Sequence, residues 1–359
     1  MSDRLDLNDE PDEGLDGDWL DGLRAAGLPV RSDSGPQPAT THVSAAPAAL
    51  VGESWAPSTR TAYEQSWARF AGWCDATRRL DAWDANENDL ADYVAYHVQS
   101  GLSPAYLARN LAAITSVFEL AGRPSPARHP LVTRAAAGAR RVRGTAQRQA
   151  EPLRLAELRS IVNGMAIVSN RPPNDPMIRR DRALLLLGWA AAMRASDLVA
   201  LNVEDLAFTG DPDRGDGGML LRLHRSKTDQ EQRGASIAVT YSQRIGSCPV
   251  RSTMLLTREY RTGPLFRRID RHGRIGGRLS ADAVTDIVQR HVANVLTSVD
   301  PALFSSHSLR AGFVTELRAQ RVAPHLIQRQ TRHKDLRTLS SYDRPGNLFD
   351  EPALAGEWW

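Results

Sequence analysis

Cysteine is scarce in this chain: Cys74 and Cys248 stand far apart and form no CxxC pair. That excludes a disulfide framework and a thiolate metal cluster, and it fits a reducing compartment. Long apolar runs are lacking too, none approaching the roughly 18 residues of a membrane span. The N-terminus lacks the basic-then-apolar order of a secretory leader. A soluble, cytoplasmic protein with no membrane partner is therefore expected. There is no glycine-rich phosphate loop, no HExxH and no βαβ alternation, which argues against nucleotide, dinucleotide and zinc chemistry. A metal-dependent nuclease is disfavoured because it needs carboxylates clustered with its other reacting groups, and the candidate residues of the second domain bring none.

What the chain does have is length and positive charge. Its 359 residues, 42% of them hydrophobic, suffice for two cores. The net charge of +3 hides an asymmetry. Residues 1–50 carry ten Asp/Glu against three Arg, a local net of −7, so the rest of the chain is near +10. A basic body of this kind attracts polyanions. The acidic run SDRLDLNDEPDEGLDGDWL and the SDSGPQPATTHVSAAPAA stretch lack hydrophobic periodicity, so residues 1–50 are expected to be disordered.

Helical periodicity begins after Trp55. Ser58 is the expected N-cap, and Tyr63, Trp67, Phe70 and Cys74 follow at spacings of four and three. Three more helices follow. ENDLADYVAYHVQSG stops at Gly101, SPAYLARNLAAITSVFELAG runs from Ser103-Pro104 to Gly122, and HPLVTRAAAGARRVRG ends at Gly144. Residues 51–144 thus predict a small helical domain whose aromatics form its core. A basic linker is expected over 145–152. Arg140, Arg141, Arg143 and Arg148 in and beside it are candidates to lie along a phosphate backbone. The plainer reading is a solvated basic helix end.

The second domain, 153–347, reads as mainly α with one small antiparallel sheet, and residues 348–359 as a tail. GGMLLRLHRSK and GASIAVTY have strand character around a polar turn. A long apolar helix, RDRALLLLGWAAAMRASDLVAL, ends near Arg194, whose guanidinium needs a partner in such surroundings. Asp197, three residues on, is the ordinary partner; an anion held by the planar fork is the alternative. Lys227 lies at the expected hairpin tip, where a lysine serves solubility or delivers a proton. His307 and Arg310 share one helical face in HSLR. His333 stands nine residues before Tyr342, which lies in a short Ser-Ser-Tyr-Asp run. Fixed cationic donors of this sort stabilise charge on a phosphodiester without a metal, a phenol can attack phosphorus, and a lysine can protonate the leaving alkoxide.

The ordered set Arg194, Lys227, His307-Ser-Leu-Arg310, His333 and Tyr342 resembles the tyrosine recombinase (phage integrase) family, in the two-domain layout of its Cre- and Xer-like members. The resemblance implies that Arg194 and Arg310 clamp the scissile phosphate, with His307 and His333 supporting. It makes Lys227 the general acid, Tyr342 the nucleophile that becomes joined to the DNA 3′-phosphate, and Asp197 an orienting carboxylate. It also implies strand exchange through a Holliday junction by a homo-tetramer on double-stranded DNA carrying an inverted-repeat site. The tail would dock into a neighbouring protomer, and neither metal nor other cofactor is implied. Two positions depart from the family's usual glycines, Ala192 before the first arginine and Arg332 before the histidine. A type IB topoisomerase and a non-catalytic DNA-binding protein on the same scaffold remain the alternatives.

Overall fold

The computed structural model describes Trp55 and residues 57–78, 80–144, 149–211, 213–224 and 235–333. The expectations for 1–50, Arg148, Lys227, Tyr342 and the tail 348–359 lie outside these residues. The chain divides into two compact units, Met1–Ala146 and Gln147–Trp359.

The first unit contains α1 (Pro57–Trp73), α2 (Glu87–Gln99), α3 (Pro104–Leu120) and α4 (Pro130–Arg143). Ser58 is not the cap of α1, because the helix already starts at Pro57, whose fixed φ suits a first turn. A cap that sequence reading passed over opens α2. Asn86 accepts from the backbone of Asn88 and Asp89, and Asp89 accepts from the Asn86 N–H in return. Gly101, Gly122 and Gly144 all take positive φ just beyond helices α2, α3 and α4. Helix α1 packs on α3, and α2 on α4. Phe70, Leu90, Tyr93, Ile114 and Phe118 are buried between them, so the aromatics are core residues.

The second unit runs α5 (Leu155–Val168), α6 (Pro176–Ala190), α7 (Ala195–Ala200), β1 (Leu206–Thr209), β2 (Gly218–Leu223), β3 (Ala235–Thr240), α8 (Pro249–Glu259), β4 (Arg267–Ile269), β5 (Ile275–Arg278), α9 (Asp282–Val295), α10 (His307–Ala319) and α11 (Pro324–Thr331). Helix α6 is the central element. Leu184, Leu185, Leu186 and Leu187 are all buried, and the helix packs against α5, α8 and α10. Strands β1, β2 and β3 form an antiparallel sheet in that order. Met219, Leu221 and Leu223 on β2, with Ile237 and Val239 on β3, supply its apolar face.

The fold is mainly helical with small antiparallel sheets, and two details correct the expectation. Among the described residues there are two sheets, because β4 pairs separately with β5; their RRI and IGGR sequences carry no apolar alternation to reveal them. The long apolar helix is also two helices, for a reason that belongs to the site. Among the described residues, no helix is long and apolar enough to cross a membrane.

Candidate active site

Helix α6 ends at Ala190 in a left-handed turn. Ala192 has φ 47°, its N–H reaches the Trp189 carbonyl, and the Met193 N–H reaches that of Gly188. This is a Schellman closure built on alanine in place of glycine. It reverses the chain and sets Arg194 at the cap position of α7, four residues past the end of the helix that was expected to hold it. A second left-handed turn closes α11, where Arg332 has φ 58° and ψ 37°. His333 follows at once.

Arg310 joins the two turns. It is 1% exposed; one guanidinium nitrogen donates to the Ala192 carbonyl at 2.7 Å and the other to the Thr331 carbonyl at 2.5 Å. A buried guanidinium is stable only when its donors are met, and here two of them meet the backbone that presents Arg194 and His333. Arg310 in turn depends on α10, whose start is held by an extended strap. The Leu153 N–H donates to Ser308 O at 3.0 Å, and Trp189 Nε1 donates to Leu153 O at 3.0 Å. Gly312 makes this approach possible: a Cβ there would stand 1.8 Å from Leu153 O.

Hydrogen bonding also orients His333. The Thr331 hydroxyl donates to Ile327 O at 2.8 Å and lies 2.8 Å from His333 Nδ1. A hydroxyl has one proton. When that proton goes to Ile327 O, Thr331 accepts from Nδ1–H, and Nε2 is then the lone-pair nitrogen of the neutral ring. Gln328 Nε2 holds the His333 carbonyl at 2.9 Å. Burial first, then the charges of Arg310, Arg194 and His307, push His333 down to about 4. His307, the first residue of α10, is lowered in the same direction, first by burial and then by Arg310 and Arg194. Two guanidiniums and two imidazoles thus sense one another as one cluster of positive potential. Such a cluster favours an anion among its members.

Asp197, 3% exposed, is the carboxylate of this neighbourhood. One of its oxygens lies 3.8 Å from Arg194 Nη1 and only 2.9 Å from Arg332 Nη2. The expected Arg194–Asp197 pair is therefore the longer of two, and sequence reading had noted Arg332 only as a departure from glycine. It also missed Gln330, whose amide donates to Ala190 O at 3.0 Å and Ala238 O at 3.2 Å. That residue ties β3 to the end of α6. Its only signal was an amide in an otherwise basic segment.

Of the other predicted residues, Lys227 lies in the sequence between β2 and β3, which pair antiparallel up to Leu223↔Ala235, and is outside the described residues. Arg140, Arg141 and Arg143 occupy the last turn of α4 and are exposed. Arg143 also donates to Gly101 O at 2.6 Å. Tyr241 and Tyr260 belong to the buried core of the second unit.

The Phage integrase family profile matches residues 153–347. The chain belongs to the phage integrase family. The profile of the Phage integrase N-terminal SAM-like domain matches residues 50–123 as well. An integrase/recombinase XerD homolog of Selenomonas ruminantium is 32% identical over 312 residues, covering 84% of this chain and 86% of that protein. Tyrosine recombinase XerD of Bifidobacterium longum is 29% identical over 152 residues, 42% of this chain and 46% of its own length. Among solved structures, a lambda integrase dimer bound to a COC′ core site shares the fold of this integrase-family chain. Its TM-score is 0.56 at 18% identity, over 86% of this chain and 96% of that one. XerH recombinase bound to a palindromic difH substrate has a TM-score of 0.54 at 16% identity, over 81% and 76%.

Proposed function

We propose that this integrase-family chain is a site-specific DNA recombinase whose reaction runs through a covalent 3′-phosphotyrosine. The observation that carries the proposal is the Arg194–His307–Arg310–His333 cluster, assembled on two left-handed turns that Arg310 joins. A phosphodiester on its way to a pentacoordinate state gains negative charge on its non-bridging oxygens. Donors already fixed in place stabilise that charge without reorganising.

In this reading Arg194 and Arg310 clamp the scissile phosphate, and His307 supports them. The Tyr342 oxygen attacks phosphorus and the bond to the 5′-oxygen breaks. Lys227 gives that oxygen its proton. The phenolic proton needs an acceptor, and neutral His333, with its Nε2 lone pair, is suited to take it. The 5′-hydroxyl of a partner strand then reverses the step. Strand exchange proceeds through a Holliday junction in a homo-tetramer on double-stranded DNA with an inverted-repeat site. Residues 51–144 would bind DNA and residues 153–347 would carry the chemistry. No metal or other cofactor takes part in this scheme.

The test is covalent trapping. The protein is incubated with nicked, fragmented DNA of its source organism in EDTA and denatured, and the attached 3′ ends are sequenced. Adducts focused on one inverted repeat are expected. Adducts scattered over all sequences would favour a type IB topoisomerase. Tyr342→Phe is expected to form no adduct while retaining DNA affinity within about a factor of two, because phosphate contacts dominate that affinity.

A further inference from the structure

Arg332 occupies a backbone conformation that costs an arginine energy and a glycine almost none. Something in the surroundings must offset that cost. Its side chain turns inward, with only 11% exposed, and Nη2 lies 2.9 Å from the buried Asp197 carboxylate. The same carboxylate oxygen is 3.8 Å from Arg194 Nη1. Neither Arg194 Nη1 nor the Nε and Nη1 of Arg332 has a hydrogen-bond partner among the described residues.

We infer that Arg332 is a positioning residue: by pairing with Asp197 it leaves the guanidinium of Arg194 to the scissile phosphate. The inference rests on the cleavage chemistry proposed above. An unpaired buried carboxylate at 3.8 Å would draw Arg194 into a close, two-point pair. The fork would then be turned away from the anion it has to clamp. With Arg332 present the carboxylate is already neutralised at short range. Asp197 still orients Arg194 through the longer contact. Because Arg332 immediately precedes His333, the same contact also anchors the turn that presents the imidazole.

Five proteins are compared: wild type, Arg332→Gly, Arg332→Lys, Asp197→Asn and the Arg332→Gly/Asp197→Asn double variant. Each is incubated with the same nicked, end-labelled genomic fragments at saturating concentration, and the rate of covalent adduct formation is measured. Arg332→Gly is expected to slow the adduct rate by up to about a hundredfold, the scale of a catalytic group displaced by about 1 Å. Its affinity for the fragments should be nearly unchanged. The decisive expectation is the double variant. Removing the carboxylate's charge should recover much of the rate that Arg332→Gly lost, which no purely structural role for Arg332 would produce. Arg332→Lys, which keeps a cation at the site, should fall between wild type and Arg332→Gly.

Two outcomes would overturn the inference. One is a wild-type adduct rate in folded Arg332→Gly. The other is a double variant as slow as Arg332→Gly or slower, which would make Arg332 itself a phosphate ligand. The wild-type lane separates this inference from the reading it rests on, because absence of any wild-type adduct counts against the cleavage chemistry alone. In that event low-millimolar sulfate serves as the anion probe. It should raise the Tm of wild type and of the double variant more than that of Arg332→Gly, and equal shifts in all would refute the role of Arg332.

Discussion

Ala192 shows how two residue-scale effects of similar size are weighed. A non-glycine residue in the left-handed region costs about 1–2 kcal/mol, and Ala192 sits there at φ 47°. Its methyl group is fully buried, and burying one such group returns about 0.8 kcal/mol. Ala192→Gly exchanges one for the other and adds the entropy of a freer unfolded chain. The expected change in stability is therefore under about 1 kcal/mol, to be read from urea denaturation midpoints. Gly312 offers no such trade, since a Cβ there would meet the Leu153 carbonyl at 1.8 Å for oxygen and 2.6 Å for carbon. The strap must move, so Gly312→Ala should cost about 3 kcal/mol or more. It should also lower the adduct rate, because the strap holds the start of α10. An unchanged denaturation midpoint would refute the account of the strap.

At the scale of elements, the end of α4 combines two jobs. Arg143 spends one nitrogen on the Gly101 carbonyl and so helps hold α4 to the end of α2. Arg140 and Arg141 lie on the same exposed turn. If the last turn of α4 follows a phosphate backbone, Arg140→Ala/Arg141→Ala should reduce the slope of log K against log salt by about two. The double variant should melt like wild type. Arg143→Ala should instead lower the Tm, because it also removes a bond between elements. An unchanged salt slope in the double variant would mean that this turn is only a solvated helix end. The end of α4 was legible in the sequence, since basic residues precede a glycine at a helix terminus. The split between α6 and α7 was not. Alanine is the best helix former, so AAAM gave no sign of a turn. At the break Arg310, 118 residues further along the chain, takes the Ala192 carbonyl, a contact that local sequence cannot reveal.

Across the whole molecule, buried imidazoles set the response to acid. His97 is 3% exposed in the first unit, against Tyr93 and Tyr106. Burial, then the charge of Arg69, push it down to about 4 from an ordinary 6.5. The unfolded chain therefore binds a proton between these values that the folded unit refuses. Stability attributable to His97 is complete above about pH 6.5 and is lost as the pH falls toward 4. His333 and His307 are shifted the same way in the second unit, so both units should weaken together on acidification. Thermal melts at pH 7 and pH 5 should show the loss, and His97→Phe should reduce it for the first unit only. A bound phosphate would oppose the shifts at His307 and His333, since an anion favours their charged forms.

The order Arg194, Lys227, His307-Ser-Leu-Arg310, His333, Tyr342 stands in the linear sequence, and so do the helix stops at Gly101, Gly122 and Gly144. These were readable because residue type and local spacing carry them: a glycine's conformational freedom and the period of a helix need no partner. The unpatterned β4–β5 pair, the turn at Ala192, the strap across Gly312, and the sharing of Asp197 between Arg194 and Arg332 could not be read this way. They depend on groups brought together from separate parts of the chain, such as Arg310 with the Ala192 carbonyl, 118 residues apart, and Arg332 with Asp197, 135 residues apart, meeting at angstrom precision. Chemical identity is local, and so the sequence by itself determined which groups could react. The choice of which carbonyl a buried guanidinium takes, and which arginine a carboxylate prefers, is a matter of distance in the packed core. Only the tertiary structure decided that.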